Sequence, residues 1–149
     1  MHLPARLILN SIAAFACFVS CAFAQSTSDT PPADGQQLYI ANCSACHQTS
    51  GMGLPNMAPA LMGNPIVAGD PSQLIQIVLK GPAAVLPANR PHYGSNTMDS
   101  FYYKLSDDQV AAILTYVRHQ FGKIDKSPAI VTQDVFAIRA KIDPQTLNN

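Results

Sequence analysis

Five consecutive residues, Cys43-Ser44-Ala45-Cys46-His47, constrain this chain more than anything else in it. Two cysteines three positions apart stand about one helical turn apart, so both thiols can reach the same edge of a flat macrocycle. The adjacent His47 is then brought beneath the centre of that macrocycle. A redox-active dithiol uses the same spacing but belongs to a strand-helix-strand unit, for which there is no pattern here. Structural zinc needs four protein ligands, and no second cysteine pair follows. A disulfide across so short a loop is open to a chain in an oxidising compartment. Cys-x-x-Cys-His is, however, the attachment signature of c-type haem. The preferred reading is one covalent haem on Cys43 and Cys46 with His47 as an iron ligand, the porphyrin supplying apolar bulk that a few short helices lack.

The chain has two other cysteines, Cys17 and Cys21, inside a leader-like start. Arg6 precedes an apolar stretch from Leu7 to Val19, and Ala22-Phe23-Ala24 supplies a small-x-small end, so residues 1–24 read as a secretory signal cleaved after Ala24. A retained span is disfavoured because the run is short and broken by Asn10 and Ser11. Lipidation at Cys21 is the minor alternative, so membrane association is expected only through lipidation or a partner. The expected location is the periplasm. Loss of Arg6 with the leader leaves eight basic residues against nine acidic ones, all Asp. So even a balance argues against a nucleic-acid partner.

Residues 25–33 read as a flexible lead-in, small, polar and proline-bearing. Asp34 is positioned to cap a first helix through Leu38 and Tyr39 to Asn42, closed by the cysteine motif. Residues 48–69 hold four glycines and three prolines and read as a loop. Asp70-Pro71 opens a second helix with Leu74, Ile77 and Val78 on one face, stopped by Gly81-Pro82. Residues 83–97 read as another loop. Ser106-Asp107-Asp108-Gln109 has the capping-box pattern, and Val110, Ile113, Leu114, Val117 and Phe121 form one apolar stripe. Arg118 and His119 suit the helix dipole at its end, with Gly122 as a left-handed stop. After a linker at 123–128, residues 132–141 suit a last short helix with Val135, Ala137 and Ile138 inward. The expectation is an all-α domain over residues 34–122 with three main helices, and a tail over 123–149.

Gly35-x-x-x-Tyr39-x-x-x-Cys43-x-x-Cys46-His47 resembles the opening of class I cytochromes c, and the likeness runs over roughly residues 34–122. It implies the cytochrome c fold, with long loops wrapped around one covalent haem c and its iron. It also implies that Gly35 and Tyr39 of the first helix meet Tyr116 of the last. Pro59-Ala60-Leu61-Met62-Gly63 resembles the family's Pro-x-Leu-x-Gly loop, which makes Pro59 and Leu61 cofactor-binding positions, the Pro59 carbonyl accepting a hydrogen from the His47 ring. Met98-x-x-Phe101-x-x-x-Leu105-Ser106-Asp107 resembles the family's segment around its methionine ligand. Met98 is therefore the expected second axial ligand, ahead of His92, while Met52, Met57, Met62 and His119 suit packing or solvent. One departure is Asp99, where the family has Pro, which brings a carboxylate near the iron.

A His47/Met98 pair closes both axial positions and raises the reduction potential, which is the chemistry of a one-electron carrier rather than an enzyme. The alternative class is a haem enzyme or gas-binding protein with an open sixth position. The stretch from Gly63 to Gly81 and the tail from Val131 to Ala140 are similar to cytochrome domains that accompany periplasmic dehydrogenases. That likeness implies a dehydrogenase as electron donor and an oxidase or another cytochrome as acceptor. Lys80, Arg90 and Lys104 are candidates to rim the docking face.

Overall fold

The computed structural model describes residues 33–89, 98–123 and 128–147. The leader, most of the lead-in, Arg90 and His92 lie outside them. Six α-helices follow in order: α1 (Gly35–Asn42), α2 (Ser44–His47), α3 (Pro65–Ala68), α4 (Pro71–Lys80), α5 (Asp107–Phe121) and α6 (Thr132–Arg139). Short 3-10 turns stand at Pro82–Ala84 and Pro144–Leu147. Among the described residues there is no strand, only an isolated bridge between Leu54 and Ala58. The chain is all-α as expected; α2, α3 and α6 supplement the three main helices α1, α4 and α5.

The helix starts follow from local chemistry. The Asp34 carboxylate accepts from the amides of Gln36 and Gln37 at 2.9 and 3.2 Å, and the Asp70 carboxylate accepts from the Ser72 amide at 2.9 Å. Asn64 does the same for α3, accepting from the Ile66 amide at 2.9 Å with Pro65 in the first turn. At α5 the Gln109 side chain reaches back to accept from the Ser106 amide at 3.0 Å. Each cap satisfies amide hydrogens that the helix itself leaves unpaired.

The core forms where α1 crosses α5. A Cβ on Gly35 would stand 2.2 Å from the Ala112 carbonyl oxygen, so only glycine allows the two backbones to approach this closely. Tyr39 is fully buried there, its ring centroid 5.5 Å from Tyr116 and 5.3 Å from Phe121. Its hydroxyl donates to the Gln48 carbonyl at 2.6 Å. The whole α5 stripe of Val110, Ile113, Leu114, Val117 and Phe121 is buried. On α4, Ile75 and Leu79 are buried along with Leu74 and Ile77, so its apolar face is broader than one stripe, while Val78 is half-buried.

The structure departs from expectation at several points. The cysteine motif closes α1 after Asn42 as expected, but it goes on as a helical turn of its own. Asn42 and Ser44 donate their side chains to the Leu38 and Ile40 carbonyls at 2.9 and 2.8 Å, which competes with helix continuation. Cys43 leaves helical geometry and α2 is a separate turn. Gly122 stays right-handed, its amide bonded to the Arg118 carbonyl at 3.0 Å, and the left-handed position falls on Lys123. Arg118 stands in the last turn of α5 as expected, but it is also buried and donates to the Val67 and Gly69 carbonyls at 3.1 and 2.7 Å. In α6, Val135 is buried and Ile138 half-buried, but Ala137 is exposed. Two positions along a helix turn by about 200°, so Ala137 and Val135 cannot share a face.

The tail joins the same core. The Ile130 amide donates to the Thr115 hydroxyl at 2.9 Å, and Ile130 and Val135 pack with the buried residues of α4 and α5. Arg139, at the end of α6, donates to the Asp107 carboxylate at 2.6 Å, to the Leu105 carbonyl at 2.9 Å and to the Tyr102 carbonyl.

Candidate haem site

Cys43, Cys46 and His47 sit on the turn that leaves α1, which the buried Tyr39 anchors one helical turn earlier. Cys43 is half-buried and Cys46 exposed, and no disulfide joins them. The His47 ring is half-buried, with Nδ1 at 3.1 Å from the Pro59 carbonyl oxygen. A carbonyl only accepts, so Nδ1 carries the hydrogen and Nε2 keeps its lone pair. Burial lowers the His47 pKa and the Pro59 bond opposes that in part. The net effect favours the neutral imidazole, the form that ligates a metal.

The loop after His47 is shaped to present that carbonyl. The Gly53 amide donates back to the His47 carbonyl at 3.0 Å, and the Gly51 carbonyl accepts from the amides of Leu61 and Met62 at 2.7 and 3.0 Å. Gly53 has φ of +71°, and a Cβ there would lie 2.6 Å from the Pro59 oxygen, so a side chain would push against the acceptor that orients His47. The Gly63 amide donates to the Phe121 carbonyl at 2.9 Å, which ties the loop to α5. Leu61 and Met62, half-buried, pack against the core.

Met98 belongs to a second wall, built on the end of α4. The Met98 carbonyl lies 3.1 Å from where a Gly81 Cβ would stand. The Ser100 hydroxyl donates to the Leu79 carbonyl at 2.5 Å, and the Phe101 amide to the Val78 carbonyl at 3.0 Å. Met98, Val78 and Phe101 are half-buried. Asp99 is turned to solvent and paired with Lys104 at 3.1 Å, which occupies its charge at the surface. Lys104 also lies over the Phe101 ring, 5.5 Å from its centroid, so one of the candidate rim charges already has local partners. Met52 and Met57 are exposed, 62% and 39%, and His119 is exposed as well.

The structure thus brings His47 and Pro59 into direct contact, links Leu61 to them through the loop, and carries Met98 on a different element. Ser100 and the long-range bonds of Arg118 escaped the sequence reading. Their partners are 21 and about 50 residues away, and no short-range spacing signals such pairs. Among the described residues no three His, Cys or acidic side chains gather as a metal site. The donor set is two thiols on one turn and one imidazole with a free Nε2. Such a set fits an iron brought inside a macrocycle that is itself tethered through sulfur.

A cytochrome c family model matches residues 32–121. The chain belongs to the cytochrome c family. Its cofactor is accordingly haem c, covalently bound, with iron. The chain is 35% identical over 107 residues to the gluconate 2-dehydrogenase cytochrome c subunit of Pantoea cypripedii, covering 70% of this chain and 24% of that protein. It is 30% identical over 116 residues to the cytochrome c subunit of a quinone alcohol dehydrogenase from Gluconacetobacter polyoxogenes, covering 76% and 24%. The chain thus spans about a quarter of the length of these relatives. Cytochrome c-552 of Thermus thermophilus is 31% identical over 121 residues, covering 76% of this chain and 90% of that protein.

Proposed function

We propose that this cytochrome c is a periplasmic carrier that takes single electrons from a dehydrogenase and passes them to an oxidase or another cytochrome. Cys43 and Cys46 would hold the haem, and His47 and Met98 would ligate its iron. The observation that carries this reading is the 3.1 Å contact between His47 Nδ1 and the Pro59 carbonyl, because it leaves Nε2 as the ring's only metal-binding atom. The haem supplies a reversible one-electron couple. The protein's residues contribute the rest: Pro59 orients the imidazole, while Leu61, Val78 and Phe101, all half-buried, offer apolar surface that keeps water from the ring. With His47 and Met98 both on the iron there would be no site for a substrate on the metal, as suits a one-electron carrier. A dehydrogenase donor is supported by the relatives that are cytochrome c subunits of gluconate, alcohol and fructose dehydrogenases.

The test begins with mass spectrometry of exported protein, expected to give residues 25–149 plus one haem that acid and organic solvent do not extract. The oxidised protein should then show the weak far-red absorption of a sulfur-iron bond, and Met98→Ala should remove it. Ready binding of carbon monoxide by the reduced wild type would overturn the carrier reading in favour of an open sixth position.

A further inference from the structure

Arg139 of α6 grips the segment that carries Met98. Its guanidinium donates to the Asp107 carboxylate at 2.6 Å, to the Leu105 carbonyl at 2.9 Å and to the Tyr102 carbonyl, and it stacks 5.1 Å from the Tyr102 ring centroid. The Arg139 and Asp107 side chains are only 16% and 20% exposed, so their attraction is less screened than that of a surface pair. A planar fork that meets three acceptors at once is something only arginine offers.

The grip falls on one end of a short span whose other end is also tied. Ser100 bonds the Leu79 carbonyl and Phe101 the Val78 carbonyl. The Tyr102 amide donates to the Ser100 hydroxyl at 3.2 Å, and the amides of Lys104 and Leu105 close a turn on the Phe101 carbonyl at 3.1 and 3.2 Å. No proline lies between Met98 and Leu105, so no ring stiffens this backbone. Beyond the turn's own hydrogen bonds, two outside anchors fix where it sits, the end of α4 and the Arg139 fork. The fork belongs to the tail, outside the residues that the cytochrome c family model matches.

We infer that Arg139 is a positioning residue for the second axial ligand: by holding the Tyr102–Leu105 turn it keeps Met98 on the iron. This rests on Met98 being that ligand. A looser turn lets the thioether leave more often, and a competing ligand then finds the sixth position open for a larger fraction of the time. The effect is local to the ligand segment and separate from the tail's share in global stability.

The experiment measures imidazole affinity of the oxidised, haem-loaded full-length protein, together with the far-red sulfur-iron band and the urea midpoint. Arg139→Gln should raise imidazole affinity by about tenfold, the factor that follows when roughly one charge-assisted hydrogen bond is lost from the closed state. Asp107→Asn loosens the same fork from its partner side and should raise affinity in the same direction, which keeps the test alive if Arg139→Gln folds poorly. Val135→Ala serves as the control, since it removes tail packing but leaves the fork intact; it should lower the urea midpoint without changing imidazole affinity. Unchanged affinity in both fork variants, or an equal rise in Val135→Ala, would overturn the role of Arg139 while leaving Met98 as the ligand. A wild type with no far-red band would overturn the Met98 assignment itself, and the inference with it.

Discussion

Tyr39 shows how one side chain serves fold and site together. Its ring fills the crossing of α1 and α5, and its hydroxyl holds the Gln48 carbonyl at 2.6 Å, one residue past His47. Tyr39→Phe keeps the ring but removes that bond, leaving the Gln48 carbonyl with its bond from the Gly51 amide at 3.0 Å, so a loss of about 0.5–1.5 kcal/mol in unfolding free energy is expected, read from urea denaturation. The hydroxyl's pKa is raised well above its ordinary 10.0, chiefly by burial. A raised folded-state pKa means the contribution is complete below the unfolded value and lost as pH climbs toward the folded one. The stability gap between wild type and Tyr39→Phe should therefore narrow at strongly alkaline pH and be unchanged between neutral and mildly acidic pH.

Among the elements, the α1–α5 crossing is the one that other placements depend on. Gly35→Ala puts a Cβ 2.2 Å from the Ala112 carbonyl oxygen, which backbone must move to relieve. The expected cost is about 1–3 kcal/mol, typical of overpacking, and thermal melting of the haem-loaded protein checks it; a neutral effect would mean the crossing is looser than it looks. The crossing was readable beforehand because Gly35, Tyr39 and Tyr116 belong to a resemblance, and because α5 advertises itself through five apolar residues at helical spacing. The helix caps at Asp34, Asp70 and Ser106 were readable for a simpler reason: capping is decided within four residues. Gly122 was misread because a helix stops according to competing hydrogen bonds whose geometry residue types alone leave undecided. Arg118 does stand in the last turn of α5, as the dipole favours, and it is also the buried donor that ties α5 to α3.

At the level of the molecule, the tail is a structural member. Ile130 and Val135 are 6% and 0% exposed, and a buried residue of this size contributes about 1.5–3 kcal/mol. A chain stopped at Lys123 should lose on the order of 5 kcal/mol with the Arg139 contacts included, a drop that urea titration would register; an unchanged midpoint would make the tail an accessory. Charge acts at the same scale. Nine basic and nine acidic residues balance over the full chain, and Lys104 already pairs with Asp99. Reduction by a dehydrogenase partner should thus slow only weakly as salt is added, because screening has few net charges to act on. Stopped-flow rates across a range of ionic strength test this, and a steep decline would reveal a one-signed docking face.

What the sequence determined by itself is the local chemistry. Cys43, Cys46 and His47 announce a tethered macrocycle because their roles depend on spacing within one turn, and the caps and the α5 stripe are likewise short-range. Tertiary structure alone decided the contacts that join residues far apart in the chain. Arg139 meets Asp107 across 32 residues, Ser100 meets Leu79 across 21, and the tail closes over α5. A guanidinium or a hydroxyl carries no mark of which distant carbonyl it will satisfy. That choice is made only when packing has brought the candidates within reach and removed the water that would otherwise serve as well.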